Sequence, residues 1–479
     1  MNDRVFCIDF GSGFTKVGLR TMPSRDTALL NLPSQQGGGV EFCLPSAVMV
    51  EQRDGGQPYE FRYDALGYRT HNRYQLFTNW KGWAFEAGQD HPVGLEAMLQ
   101  SADFAALAGT YQVSLAQVKC LQYLVEYSRG LVGSGPVPQE SLRVRRAKVL
   151  ADKFFRFLRE YTLKAVERLE PSLPNPHDIP VVLAVPAFRP EAELPTHPGV
   201  QLLTRALANA GWPLRQPSPV ISEPLANAVG VLTGGCNSLR TTRATKTTPS
   251  VTRIDLSKMF ARGPILTAMK DGKFYPLYRA LIVDVGAFTT DVAVVELPTQ
   301  ELVDYPGDGI RIRQQSFALG VRNLDEQVLA TLPGAQRTYM QTQATAQDWE
   351  DFRPQVYSDG KPFKTIEGAI GGKSEQPAIR SVLNEFGLKA AANVSEFCGD
   401  LQPANMQELI LTGGGNYIPA VRSSIEAAVA LPGSPIVRVS SSARRTSISD
   451  AIARKLDPEA ARGGTALGGA SIYFEPRYW

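Results

Sequence analysis

Two aspartates, Asp284 and Asp291, interrupt apolar runs within residues 281–295. The segment has an apolar strand, a polar turn with one glycine and two threonines, and a returning apolar strand, which predicts a β-hairpin. An ordinary hairpin carries Asn-Gly or Asp-Gly at its tip and keeps charge off the strand interiors, because a buried carboxylate without a partner is costly. We therefore expect both aspartates to face a cation at the turn, most simply a magnesium ion that carries phosphates.

The same design occurs near the N-terminus, over residues 5–19. Asp9 follows a buried strand, and a turn with glycines and hydroxyl side chains leads into a returning strand. A single glycine turn is weak evidence for phosphate binding. A matched pair with an aspartate in each predicts two halves of related build that face one ligand.

This pair of hairpins resembles the superfamily of actin and the DnaK-type heat-shock ATPases, which bind ATP between two such hairpins. The resemblance implies an α/β fold in which two ribonuclease-H-like lobes surround a nucleotide cleft. Lobe I would comprise residues 1–232, with an upper subdomain near 46–140, and be completed by 456–479. Lobe II would comprise 233–455, with an upper subdomain near 322–390.

The resemblance implies ATP or ADP with Mg²⁺ as the cofactors. Asp9 and Asp284 would hold the hydrated metal ion, and Asp291 would lie nearby as a catalytic carboxylate. The first turn, Gly-Ser-Gly-x-x-Lys, is more similar to actin than to the chaperones, while Ala-Phe replaces Gly-Gly in the second, so hydrolysis is expected to be slow. The expected phosphate-binding residues are Gly11, Ser12, Gly13, Phe14, Thr15, Lys16, Gly286, Ala287, Phe288, Thr289 and Thr290.

Two more residues are candidates for catalysis. Residues 179–188 end in Val-Pro-Ala-Phe, and residues 220–230 place Glu-Pro at the start of a small-residue helix, an order that resembles the DnaK-type chaperones. The resemblance implies that Glu223 positions the attacking water; the alternative is an acid that only stabilises a helix N-terminus. Lys81, between two tryptophans, matches a lysine that reaches the γ-phosphate, a role that Lys16 could share. The alternative is a solvated surface lysine.

Residues 409–419 form a strand, a glycine turn and a helix start, which resembles the superfamily's adenosine motif. Glycines let the backbone approach a ligand, and an aromatic ring can stack on adenine. Residues 331–378 look polar and irregular, and the family's Glu-x-x-Lys pair for ribose and adenine is not found there, so base specificity stays open. Residues 457–470 resemble the last small-residue helix, which crosses between the lobes. The expected adenosine-side residues are Gly320, Gly413, Gly414, Gly415 and Tyr417.

The composition indicates no nucleic-acid partner and no membrane span. Hydrophobic residues make up 43% and charged residues 20%, with a net charge of +3. Five scattered cysteines and a start without a signal-peptide pattern predict the cytoplasm. Residues 239–279 carry nine Lys and Arg against two acids. They are interpreted as a solvated basic insert, or alternatively as a site for an anionic partner.

Three functions compete. The first is a DnaK-type, Mg-dependent ATPase that acts as a nucleotide-dependent conformational switch; no β-rich peptide-binding domain follows the last helix, which disfavours ordinary chaperone work. The second is an actin-like protein that assembles with itself into filaments, favoured by the Gly-Ser-Gly-x-x-Lys turn. The third is a small-molecule kinase, which the Glu-Pro helix start disfavours. The expected partners are the nucleotide and either further copies of the chain or another protein.

Overall fold

Two mixed β-sheets with the same strand order organise the described part of the chain. The sheets and their helices are built from segments that are far apart in sequence. The computed structural model describes residues 4–20, 27–30, 32, 43–52, 59–62, 74–78, 80–88, 142–169, 171, 173, 175–234, 266–270, 273–298, 311–366, 368–399, 408–429, 436–439 and 463–472.

Strands and helices alternate over much of the chain, as in α/β proteins. The strands are β1 (Val5–Phe10), β2 (Phe14–Arg20), β3 (Thr27–Leu29), β4 (Leu44–Pro45), β5 (Val48–Gln52), β6 (Tyr59–Arg62), β7 (Tyr74–Phe77), β8 (Val181–Val185), β9 (Val220–Ser222), β10 (Leu266–Lys270), β11 (Lys273–Val285), β12 (Thr290–Pro298), β13 (Arg311–Phe317), β14 (Phe363–Thr365), β15 (Gly368–Ile370), β16 (Glu408–Thr412) and β17 (Ile436–Val439). The helices are α1 (Lys81–Phe85), α2 (Leu142–Leu169), α3 (Pro198–Asn209), α4 (Glu223–Gly234), α5 (Val321–Thr331), α6 (Gly334–Thr342), α7 (Ala346–Arg353), α8 (Gln376–Cys398), α9 (Pro419–Val429) and α10 (Gly464–Ile472). Single helical turns cover Pro176–Asp178, Glu191–Thr196, Pro354–Ser358 and Gly414–Tyr417.

The two large sheets repeat one topology. The first has the order β3-β2-β1-β8-β9, and the second has the order β13-β12-β11-β16-β17. In each, successive strands among the first three are antiparallel, and the last two strands run parallel to the central strand. The α/β class and both predicted hairpins are thus confirmed, and the hairpins occupy the same position in the two sheets.

Each sheet packs against its own helices. In the first core, the ring of Phe10 lies 4.8 Å from that of Trp80, 5.8 Å from that of Phe154 and 5.3 Å from that of Phe155. Burying one such side chain contributes about 1.5–3 kcal/mol to the free energy of folding. These contacts therefore fix the position of Phe10, at the end of β1. In the second core, buried side chains join β11 to α5 and α8: Leu281, Val283, Leu324, Ile379 and Phe386.

Helices α4 and α10 cross with their backbones in contact. A Cβ atom on Gly230 would lie 1.8 Å from the carbonyl oxygen of Gly464, and one on Gly468 would lie 1.8 Å from that of Ala226. Only glycine fits such an approach. The predicted close helix crossing is therefore present, with α10 beginning at Gly464; residues 457–462 of the predicted helix lie outside the described residues.

Residues 331–378 are more regular than predicted. They contain α6, α7, β14 and β15, and Tyr339, Met340 and Phe352 among them are buried. These few apolar residues are separated by polar ones, so the pattern was weak. A readable signal was the capping box at the start of α7, where Asp348 N donates to Thr345 Oγ1 at 2.9 Å and Thr345 N donates to Asp348 Oδ2 at 2.8 Å.

Parts of the predicted domain plan lie outside the described residues. From the expected upper subdomain over 46–140, the structure describes the small sheet of β5, β6 and β7 and helix α1. From the expected basic insert over 239–279, it describes β10 and the start of β11, which pair with each other and extend the second sheet. No helix within the described ranges is long and apolar enough to cross a membrane.

Candidate functional site

The turns of the two hairpins close with the same backbone hydrogen bond. Gly11 N donates to Phe14 O at 3.1 Å, and Gly286 N donates to Thr289 O at 2.9 Å. A Cβ atom on Gly11 would lie 2.5 Å from Phe14 O, so the first turn needs glycine there. The two turns are therefore equivalent in backbone structure as well as in position.

Carbonyl groups of the first turn are held by one serine that precedes β5. Ser46 Oγ donates to Gly11 O at 2.6 Å, and Ser46 N donates to Gly13 O at 2.9 Å. Because a trans peptide directs its C=O and N–H to opposite sides, the amides of Ser12 and Phe14 point away from Ser46.

Carbonyl groups of the second turn are held by the first residues of α5. Val321 N donates to Gly286 O and Arg322 N donates to Ala287 O, each at 2.9 Å. A Cβ atom on Gly320, which precedes the helix, would lie 2.5 Å from Ala287 O, so this glycine permits the contact. By the same peptide geometry, the N–H groups of Ala287 and Phe288 point away from α5.

The base of each turn carries a charged pair in the same register. Asp9 lies opposite Lys16 across β1 and β2, and Asp284 lies opposite Asp291 across β11 and β12. Lys16 Nζ lies 2.8 Å from Asp9 Oδ2. Burial opposes the charge of Lys16, but Asp9 outweighs it and raises the lysine pKa. One turn therefore ends in an ion pair and the other in two carboxylates.

The charges of the two turns act on each other. Burial is the largest cause that raises the pKa of Asp284, to about 6. Lys16 lowers this pKa and Asp9 raises it, so both residues of the first turn lie close enough to influence the second. The predicted metal-binding carboxylates, Asp9 and Asp284, are thus brought to one place.

Asp291 is nearly buried, with 6% of its surface exposed. It accepts hydrogen bonds from Thr289 Oγ1 at 3.1 Å and from Ser316 Oγ. Burial raises the pKa of Asp291 well above its usual range, and the carboxylates of Glu223 and Asp284 raise it further. The predicted catalytic carboxylates therefore share one environment.

Lys81 and Glu223 form a buried ion pair, with Nζ hydrogen-bonded to Oε1. Lys81 is 3% exposed and Glu223 is 7% exposed, so the alternative of a solvated surface lysine is wrong. Burial raises the pKa of Glu223 to about 7, Lys81 lowers it, and Asp9 and Asp284 raise it. Glu223 does begin α4, but a helix-start acid has no need of a buried lysine partner.

The adenosine-side glycines lie against the second hairpin. Gly413 has a φ of 79°, and a Cβ atom there would lie 2.0 Å from Asp284 Oδ1. One on Gly415 would lie 2.3 Å from Val285 Cγ1. Gly414 is exposed and Tyr417 is partly buried, and Tyr417 O accepts a hydrogen bond from Ser358 Oγ at 3.2 Å.

Phe288, at the tip of the second turn, packs on the first core. Its ring lies 5.9 Å from that of Phe85 and 6.1 Å from that of Phe188. The Ala-Phe departure from the chaperone pattern therefore adds an aromatic contact between the second turn and the first core.

Sequence reasoning missed the polar residues that join the two sheets. Ser316 pairs with Ala187, whose N–H donates to Ser316 Oγ at 2.7 Å and whose carbonyl accepts from Ser316 N at 3.2 Å. Ser222 Oγ donates to Gln314 Oε1 at 2.6 Å. A polar residue inside an apolar strand, as at Ser316, was the available signal. Its partner depends on packing between distant segments.

Within the described ranges, no group of three or more His, Cys, Asp or Glu side chains is arranged so that it could hold a metal ion by itself. Magnesium usually keeps several waters and binds one or two carboxylates plus phosphates. Asp9 and Asp284 fit that kind of binding, because Asp9 disfavours charge on Asp284 and a cation would remove the conflict.

No protein-family model matches the sequence, and no curated protein matches it. The resemblance to the actin and DnaK-type ATPases therefore rests on the sequence motifs alone.

Proposed function

We propose that this chain binds ATP with magnesium between its two glycine turns, hydrolyses it slowly, and uses the nucleotide to switch conformation. The observation that carries the proposal is the glycine turn that occurs once in each sheet. In both copies, hydrogen bonds hold two of the turn's carbonyl groups, and an aspartate lies at the base of the turn. The fold proposed is the actin-like one, in which the two sheets belong to two lobes around a cleft.

Phosphate binding would use backbone amides of both turns. The amides of Ser12 and Phe14 point away from Ser46, and those of Ala287 and Phe288 point away from α5. Successive N–H groups of this kind form an anion-binding concavity. Lys16 adds a positive charge beside the first turn, which would offset phosphate charge.

Asp9 and Asp284 would hold the hydrated magnesium. When bound, that ion would neutralise charge on the phosphates. The four acids of the site, Asp9, Asp284, Asp291 and Glu223, exceed its two described lysines. A divalent cation fits this excess of negative charge.

Glu223 would accept a hydrogen bond from the attacking water and orient it. Its pKa of about 7 suits a group that exchanges a proton near neutral pH. Lys81 keeps the carboxylate in place and would meet negative charge that develops on the phosphate. Hydrolysis would be slow because Ala287 and Phe288 stand where the chaperone pattern has Gly-Gly.

The switch would act through α4. This helix begins with Glu223, contacts β11 and β12 of the second sheet, and crosses α10 in backbone contact. A change of nucleotide at Glu223 would therefore move a helix that touches both sheets. Self-assembly in response to the same change is the alternative outcome of this function.

Thermal unfolding tests the proposal, because a ligand that binds the native state raises the melting temperature. Millimolar ATP with magnesium should raise it for the wild type and fail to do so for Asp9→Ala and Asp284→Ala. Glu385→Gln is the control, since this glutamate lies 60% exposed on α8 and should behave like wild type. No shift in the wild type, or equal shifts in all four proteins, would contradict the proposal.

A further inference from the structure

Asn227 links α4 to the second sheet. It lies one helical turn after Glu223, so the two side chains share a face of α4. It is 1% exposed, and its Nδ2 donates to Asp284 Oδ2 at 2.7 Å and to Thr412 Oγ1 at 2.8 Å. The same face of α4 thus contacts Lys81 through Glu223 and Asp284 through Asn227.

The orientation of the Asn227 amide follows from its neighbours. A carboxylate only accepts hydrogen bonds, so the amide nitrogen must face Asp284. A hydrogen bond from Thr412 to Asp284 lowers the aspartate pKa, which leaves the threonine oxygen as an acceptor for Asn227. The amide oxygen of Asn227 is therefore directed elsewhere.

That oxygen, Asn227 Oδ1, is buried and has no hydrogen-bond partner within the described residues. Leaving a buried polar group unsatisfied costs about 1–3 kcal/mol, so such a group calls for an explanation. Ser12 Oγ, in the first turn, is in the same condition. Both atoms belong to residues that border the site of Asp9 and Asp284.

We propose that Asn227 completes the cation site, with Oδ1 facing a hydrated divalent cation and Nδ2 holding Asp284 in place. Asn oxygens are typical ligands of hard cations, directly or through water. The inference rests on the proposed function, because it assigns one more residue to the same site. It also gives α4 a means to sense the cation, since Gly230, three residues further on, lies at the crossing with α10.

Calorimetric titration of ATP at a series of magnesium concentrations tests the inference. Asn227→Ala should raise the magnesium concentration needed for half-maximal affinity by about 10–100-fold, the usual loss for an outer-shell ligand. ATP affinity in EDTA should stay within about two-fold of wild type, since backbone amides bind the phosphates. Asn227→Asp keeps an oxygen toward the cation but loses the Nδ2 donor to Asp284, so its magnesium requirement should rise less than that of Asn227→Ala.

The control is Asn384→Ala, the same change on an exposed part of α8, which should leave magnesium dependence unchanged. Equal magnesium dependence in wild type and Asn227→Ala would overturn the inference. Equal shifts in Asn227→Ala and Asn227→Asp would also overturn it, because that result indicates a structural role only. Asn227→Ser replaces the alanine variant if the latter does not fold.

A wild type that binds no ATP at any magnesium concentration would overturn the proposed function instead. Melting temperatures with Mn²⁺ alone then decide the role of Asn227. An increase in wild type and Asn227→Asp, but not in Asn227→Ala, would support a cation site at Asn227. If Mn²⁺ raises the melting temperature of none of the three proteins, or raises it equally in all three, the inference is overturned as well.

Discussion

The two glycine turns close with the same backbone hydrogen bond but carry different charged pairs at their bases. Where the first turn places Lys16 opposite Asp9, the second places Asp291 opposite Asp284. The lysine is paired at 2.8 Å, whereas in the second turn Asp284 raises the pKa of Asp291. The difference teaches that two turns of similar build can carry different charges at their bases. Under the proposed function, the first turn would add positive charge beside the phosphates, and the second would provide carboxylates for a cation and water.

The largest expected effect is on ATP turnover, through Glu223 at the start of α4, whose pKa is influenced by Asp9 of the first turn and Asp284 of the second. Glu223→Gln should lower ATP turnover by about 10²–10⁴-fold, the usual contribution of a general acid–base group. ATP affinity should stay within a few-fold, since metal and phosphate binding depend on Asp9, Asp284 and the turns. Single-turnover hydrolysis and equilibrium binding, measured on one preparation, check both statements.

Glu385→Gln, the same change on the exposed side of α8, is the control for turnover. Wild-type turnover in Glu223→Gln would reduce Glu223 to a helix-start acid. Loss of ATP binding would make its role structural.

The comparison between the turns becomes sharper with one substitution in each. Lys16→Met leaves Asp9 without its cation and should destabilise the protein by about 3 kcal/mol, as removal of one partner of a buried ion pair does. Asp291→Asn removes a carboxylate from an acidic cluster, and its amide can accept from one hydroxyl and donate to the other, so stability should change by less than about 1 kcal/mol. Urea unfolding without nucleotide measures both changes. Equal losses from the two variants would show that the turns are electrostatically alike.

A further expected effect is on the pH dependence of stability. The pKa values of Glu223 and Asp284 are raised to about 7 and about 6 in the folded protein. The folded state therefore keeps protons that the unfolded chain loses above about pH 4. Their contribution to stability is present below that pH and is lost as the pH rises to about 7, by on the order of 3 kcal/mol for each carboxyl group.

Denaturation without ligand, between pH 4 and 8, measures this loss. Glu223→Gln should make the profile flatter, whereas Glu385→Gln should follow the wild type. A wild type that becomes more stable as the pH rises through this range would contradict the assignment of these raised pKa values.

The hairpins and their aspartates could be predicted because their signals are local. Alternating apolar residues, one glycine and a carboxylate at the strand end identify the turn within fifteen or so residues. The pairing of Lys81 with Glu223 could not be derived from spacing, because it depends on two helix starts that the fold brings together. Asn227 was passed over as one polar residue in a small-residue helix, since its contact with Asp284 joins different segments. The helices over 331–378 were missed because their buried residues are few and widely separated.

A structure with magnesium and a non-hydrolysable ATP analogue tests the central claim most directly. The account predicts phosphate density between the turn from Gly11 to Phe14 and the turn from Gly286 to Thr289. The metal should lie beside Asp9 and Asp284. A nucleotide that contacts only one of the two turns, or that binds at another place on the protein, would contradict the claim that the repeated turns form one site.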